Sequence, residues 1–155
     1  LAHATGAEPV FFPSPAVLGS AAAAGQLAED ASVRGVLDLL PSVTTTLVGI
    51  GSLESPALLR RSGSMTTEAD VAELTAAGAV GDVCLRFFDA QGAPVASDYD
   101  ARLVGASAEQ LRAVPRRVAA AGGERKHAAI RGALLGEWVN VLITDVHSAR
   151  ALLGG

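Results

Sequence analysis

Apolar and small residues in this chain recur with two periods, and the change from one to the other marks its elements. From Val118 to Asp145 the sequence reads VAAAGGERKHAAIRGALLGEWVNVLITD. A short apolar run is stopped by Gly122-Gly123. A helical stripe of Ala129, Ile130, Ala133 and Leu134 follows and ends at Gly136, and a second apolar run covers Val139 to Thr144. Strand, helix and strand in that order form a βαβ unit, which implies a parallel sheet covered by helices. The carboxyl ends of strands in such sheets are where ligands bind.

The rest of the chain fits an α/β class. Val10-Phe11-Phe12 reads as a short buried strand, ended by Pro13 and Pro15. Ser20 is placed to cap a helix over Ala21 to Leu27. Val33, Val36, Leu37 and Leu40 predict another helix, with Asp30 or Ser32 as cap and Pro41 just beyond its end. Thr45 to Ile50 is a β-branched strand that runs into Gly49-Ile50-Gly51, where a backbone without Cβ atoms can approach a neighbour closely. Ser52 to Ser64 is loop or short helix. Thr67-x-x-Asp70 has the form of a capping box, followed by Val71, Leu74 and Ala77 as a buried stripe and Gly78 as a stop. Ala79 to Phe88 reads as one long strand, Asp89 to Gly92 as a turn, and Pro94 to Ala96 as a return strand. Ala101 to Val104 is a further short strand, and Ser107 caps a helix through Leu111. Ala149, Leu152 and Leu153 form a last amphipathic helix. The hairpin makes the sheet mixed or adds a small antiparallel flap.

Composition narrows the function classes. The 155 residues suffice for one domain with a real core, and half of them are apolar. A net charge of −4 with no long basic run argues against nucleic acid or anionic membrane as the direct partner. Cys84 is the single cysteine, so neither an internal disulfide nor a cysteine zinc cluster is available. Its apolar neighbours predict a packed thiol. His3, His127 and His147 are dispersed and lack metal-ligand spacing, and no cofactor is indicated. The start at Leu1 reads as a fragment or processed product. No basic segment precedes the apolar N-terminal run, which prolines interrupt, so a signal peptide is not expected. No apolar stretch reaches the roughly 18–20 residues that span a bilayer. A cytoplasmic protein is the expectation.

Candidate chemistry centres on Gly122-Gly123-x-x-Lys126. A glycine turn at a helix start leaves N–H groups without partners, and Lys126 adds positive charge where the helix dipole disfavours it. An anion would resolve that conflict; the alternative is a solvated lysine beside a tight turn. The spacing is not that of a P-loop. Asp82, within an apolar run, must be paired, hydrogen-bonded or facing a cavity. It accepts a ligand hydroxyl or pairs with an arginine such as Arg86 or Arg61. Asp145 is a helix cap first and a ligand contact second. Arg60 and Arg61 either clamp an anion or are solvated. His127 lines the site or lies at the surface. No nucleophile-elbow motif is present.

Taken in order, these pieces resemble a family. They are Gly49-Ile50-Gly51, Gly78-Ala79-Val80-Gly81-Asp82, Phe88-Asp89-x-x-Gly92, Val118 through Lys126 with its double glycine, and Asn140 to Asp145 with Ala149 and Leu152-Leu153. Together they look like the C-terminal sugar-binding (effector) domain of SorC/DeoR-like bacterial transcriptional regulators, across nearly the whole chain. The resemblance implies a three-layer Rossmann-like sheet with helices on both faces, similar to the sugar-phosphate isomerase and CoA-transferase fold. Residues 1–155 would form a single sensor domain, not an enzyme. It would bind a sugar, polyol or sugar phosphate, and binding would alter a dimer or tetramer and so the DNA grip of a separate helix-turn-helix. By position, Lys126 matches a phosphate-facing lysine, Asp82 an acidic ligand residue, and Arg61 or Arg60 a ligand-contacting arginine. Gly51, Gly122, Gly123 and Asp145 complete the expected site. The helix-turn-helix and the early part of the effector domain are not among these residues, so the site is expected to be incomplete and the chain to self-associate. An isomerase or deaminase on the same fold is the alternative.

Overall fold

The computed structural model describes residues 2–53 and 67–154. Arg60, Arg61 and most of the expected loop from Ser52 to Ser64 lie outside the described residues.

A parallel sheet forms the frame. Its strands are β1 (Thr45–Val48), β5 (Arg116–Ala120) and β6 (Val141–Ile143), with β5 in the centre. Leu47 sits beside Val118, and Val118 beside Val141. The crossover from β5 to β6 is a 3-10 turn (Glu124–Lys126) followed by a helix over His127–Leu135, called α7 below. The βαβ unit expected from the periodicity is thus present. The helix packs because its stripe is dry: Ala129, Ile130 and Ala133 are fully buried and meet Ala119 of β5, Ile50, Phe88 and Trp138. Small residues at Ala119, Ala129 and Ala133 let helix and sheet approach closely.

An antiparallel sheet of β2 (Gly51–Ser52), β3 (Gly81–Val83) and β4 (Arg86–Phe88) lies against the same helix. The expected single strand from Ala79 to Phe88 does not form. It breaks at Cys84-Leu85, both with positive φ (52° and 64°), and folds back on itself. The two-residue left-handed turn has the hand that suits a hairpin, and Asp82 supports it by accepting a hydrogen bond from the Leu85 N–H at 2.9 Å. Cys84 is therefore exposed at a turn instead of packed in a strand. The Asp89–Gly92 turn is present as well, with Gly92 at φ 81°. Its return is one bridge, Phe88 to Pro94, supported by the Val95 N–H donating to the Phe87 carbonyl.

The remaining helices are α1 (Ala2–Thr5), α2 (Ala21–Ala28), α3 (Ala31–Leu37), α4 (Glu68–Ala76), α5 (Asp98–Ala101), α6 (Ala108–Ala113) and α8 (Val146–Leu152). The caps that the sequence predicts form: Ser20 for α2, Asp30 for α3, Ser107 for α6, and a full Thr67/Asp70 capping box for α4, whereas the Ser97 cap of α5 is one the sequence does not single out. Val10-Phe11-Phe12 forms no strand, and Val10 and Phe11 are 61% and 79% exposed. Pro9, Pro13 and Pro15 remove ladder donors around it. The expected strand over Ala101 to Val104 is reduced to one bridge between Leu103 and Val17.

A second core gathers Val17, Leu74, Phe87 and Tyr99 beside α4, and a third gathers Ala24, Val33 and Val104. Arg102 ties α5 to α4 through the Asp70 carboxylate.

Candidate functional site

The carboxyl edge of the parallel sheet brings together two clusters. The first is built on β2 and β3. Gly51 pairs with Asp82 across the antiparallel ladder, and a Cβ on Gly51 would lie 1.8 Å from Asp82 Oδ1. Glycine is therefore required for the carboxylate to sit there. Asp82 is only 9% exposed. Burial raises its pKa, opposed by the Leu85 N–H and by the positive charge of Lys126. Lys126, partly buried at the end of the 3-10 turn, donates from Nζ to the Ile50 carbonyl at 2.7 Å. Arg86 does not pair with Asp82; its partner is Asp100, at 2.7 Å. Ser52 Oγ donates to the Arg125 carbonyl at 2.9 Å and fastens β2 to the turn that carries Lys126.

The second cluster is built on the glycine turn and the start of α8. Asp145 caps α8, accepting from the N–H groups of His147 and Ser148. Its other oxygen accepts from the Gly123 N–H at 2.9 Å and from the Ser148 hydroxyl at 2.7 Å. Hydrogen bonds from the Ser148 backbone and hydroxyl, then from Gly123 and His147, hold its carboxyl well below the usual range against weak desolvation. A Cβ on Gly122 would come within 2.3 Å of the same carboxylate. Ser148 is fully buried, and His127 Nε2 lies 3.1 Å from its hydroxyl. That hydroxyl gives its proton to Asp145, so the contact needs a proton on Nε2 of His127. Thr144, between β6 and Asp145, has a buried Oγ1 without a partner among the described residues. A buried polar atom left in that state wants an acceptor or donor from outside.

Six of the seven expected site residues thus stand at one edge of the fold, in two groups: Gly51, Asp82 and Lys126, and Gly122, Gly123 and Asp145. The Lys126 N–H donates to the Gly123 carbonyl and links them. Arg61 lies outside the described residues. The turn differs in one respect from an open anion cradle, because Asp145 already accepts from the Gly123 N–H. Ser148 and the Ile50 carbonyl were not legible beforehand. A serine three residues after a helix cap is a faint signal, and a backbone carbonyl has none. Cys84, two residues after Asp82, is not an activated nucleophile, since desolvation and then the Asp82 charge push its thiol up.

The model of the Sugar-bind family, a sugar-binding domain, matches residues 1–154. The chain belongs to this sugar-binding domain family. It is 36% identical over 145 residues to the deoxyribonucleoside regulator of Bacillus subtilis, covering 94% of this chain and 46% of that protein. It is 35% identical to the transcriptional regulator LsrR of Klebsiella pneumoniae, covering 91% of this chain and 44% of that one. The full-length sorbitol operon regulator SorC of Klebsiella pneumoniae superimposes with a TM-score of 0.86 at 28% identity, over 98% of this chain and 49% of that one. The domain is therefore of the SorC/DeoR regulator type, as the sequence resemblance implied, and its α/β fold is the one seen in those regulators. It spans about half the length of the curated relatives it matches. Among the described residues no helix is long and apolar enough to cross a membrane.

Proposed function

We propose that residues 1–155 act as one effector-sensing domain of a bacterial, cytoplasmic transcriptional regulator. The domain binds a sugar, polyol or sugar phosphate and passes that event to a separate DNA-binding domain through a change in a dimer or tetramer. The observation that carries this reading is the gathering of Asp82, Lys126, Asp145 and the Thr144 hydroxyl, which has no partner among the described residues, at the carboxyl edge of the sheet. A carboxylate and a lysine in close order suit a ligand rich in hydroxyls, since Asp82 can accept from a hydroxyl and the ammonium can donate to an oxygen, while Asp145, whose two oxygens already accept four hydrogen bonds, shapes the turn beside them. A phosphate on the ligand would meet Lys126 and the remaining N–H groups of the turn, and Arg61 is proposed as a further contact. Binding acts by favouring one assembly over another, in proportion to its difference in affinity for the two.

Calorimetric titration of the full-length regulator with a panel of pentoses, hexoses, polyols and their phosphates tests the reading. For the compound that binds, Lys126→Ala is expected to weaken binding tenfold or more, since a hydrogen bond to a charged group contributes about 1.5–3 kcal/mol. Unchanged affinity in that variant would remove Lys126 from the site.

A second reading, an isomerase or deaminase, draws on the raised carboxyl of Asp82, the kind of group that serves as a general acid. His127 is engaged with Ser148 instead of pairing with Asp82. Turnover of sugar phosphates above a Asp82→Asn background would favour it.

A further inference from the structure

Arg86 opens β4 and is only 8% exposed. Two of its nitrogens are engaged. Nε donates to the Ala106 carbonyl at 2.9 Å, and Nη1 donates to Asp100 Oδ1 at 2.7 Å and to the Asp100 carbonyl at 3.2 Å. Nη2 has no partner among the described residues, yet it is not among the buried atoms left unsatisfied. A buried guanidinium nitrogen avoids that penalty by facing open space. Arg86 does line such a space, a cavity of about 210 Å³. The rest of its wall is mostly apolar, with Phe87, Val95, Ala108 and the Trp138 ring, and Asp100 closes one side.

The cavity shares no residue with the candidate effector site. Trp138 precedes β6, whereas Asp145 follows it, so the two lie at opposite ends of that strand. Its charges nearly cancel, because Arg86 and Asp100 form an ion pair. An anion would be drawn by Arg86 and repelled by Asp100, and a cation would meet the reverse. A neutral group with an acceptor beside a donor satisfies both: its oxygen accepts from Nη2 and its N–H donates to the free carboxylate oxygen of Asp100. Cavities for drug-sized ligands run to roughly 300–1,000 Å³, so the occupant is smaller. We propose that this cavity is a second binding site, for a small neutral carboxamide with a compact apolar body that packs on Val95 and Ala108, with the buried Trp138 directly behind that wall.

Three probes of one shape distinguish the chemistry: isobutyramide, isobutyrate and isobutylammonium. The intact protein is labelled with 15N-tryptophan, and the Trp138 indole signal is identified by its loss in Trp138→Phe. Isobutyramide is expected to shift that signal saturably, with an apparent affinity at least tenfold above the acid and the amine. Ala108→Leu, which fills the cavity from α6 and leaves Arg86 itself unchanged in sequence, should abolish the shift while leaving the melting temperature near that of the parent. No saturable shift with isobutyramide would overturn the proposal. So would an equal or stronger response to the acid or the amine, or a response retained in folded Ala108→Leu. If that variant does not fold, the ranking of the three probes on the unmodified protein decides.

Discussion

Asp82 and Asp145 lie at the same edge of the fold and are pushed in opposite directions. Asp145 gains hydrogen bonds on folding, so its folded pKa falls below the unfolded value. Its contribution to stability is complete above the unfolded pKa, near 4, and is lost as pH falls through the folded one. Asp82 is desolvated on folding, so its folded pKa rises. The cost of ionising it is absent below the unfolded pKa, grows as pH rises, and is complete above the folded value. Replacing each with asparagine should therefore give opposite results in thermal melts at pH 7. Asp145→Asn is expected to melt lower than the parent, and Asp82→Asn at the same temperature or higher, with a flatter pH dependence above pH 4. A lower melting temperature for Asp82→Asn would mean that its charge is better matched than burial implies. A carboxylate kept where its charge is costly has a use, and ligand hydroxyls would supply the hydrogen bonds that burial removes.

Among the elements, the crossover helix α7 sets how close the layers come. Its end meets the Asp89–Gly92 turn at backbone distance. A Cβ on Gly136 would lie 2.2 Å from the Gly92 carbonyl oxygen, and one on Gly92 would lie 2.3 Å from the Gly132 carbonyl. Trp138 locks the junction, donating from Nε1 to the Gly92 carbonyl at 2.8 Å, with its ring 5.1 Å from that of Phe88. Backbone cannot yield as a flexible side chain does, so Gly136→Ala is expected to cost on the order of 2 kcal/mol, read as a lower urea midpoint. A midpoint within error of the parent would show that the turn can slide. The same close packing places β3 against α7, where a Cβ on Gly81 would lie 2.5 Å from Ala129 Cβ. The position of Asp82 next to Lys126 thus depends on small residues on both elements.

For the whole molecule, the outer positions of the parallel sheet are the conspicuous feature. Leu47 and Ile143 are each 58% exposed and share a face with Val118, while Ala119 on the opposite face is fully buried. Val146, at the start of α8, is likewise exposed, at 56%. Parallel sheets are ordinarily covered on both faces, and exposed apolar patches mark contact surfaces. The chain of residues 1–155 is expected to self-associate with rising concentration in sedimentation velocity, and Ile143→Lys to shift it towards monomer. A parent chain that stays monomeric at high concentration would remove this face from any account of assembly.

The sequence by itself determined the βαβ unit, most helix caps and the family, because each rests on local periodicity or on residue order. The 3.6-residue stripe of α7, the glycine break and the Thr67/Asp70 box are short-range facts, and so is the ordered set of motifs from Gly49 to Leu153. It also named Gly51, Asp82, Lys126 and Asp145, each for a local oddity of charge or glycine. Only the tertiary structure decided how these meet. The strand expected over Ala79 to Phe88 became a hairpin because the Asp82 carboxylate stabilises a left-handed turn at two residues that have no glycine to announce it. Val10-Phe11-Phe12 stayed out of the sheet because apolar character does not supply a partner strand. The Gly123 N–H went to Asp145, 22 residues away, and the Lys126 ammonium to the Ile50 carbonyl, 76 residues away. Such pairings depend on where the backbone runs in space, and periodicity along the chain carries no record of them.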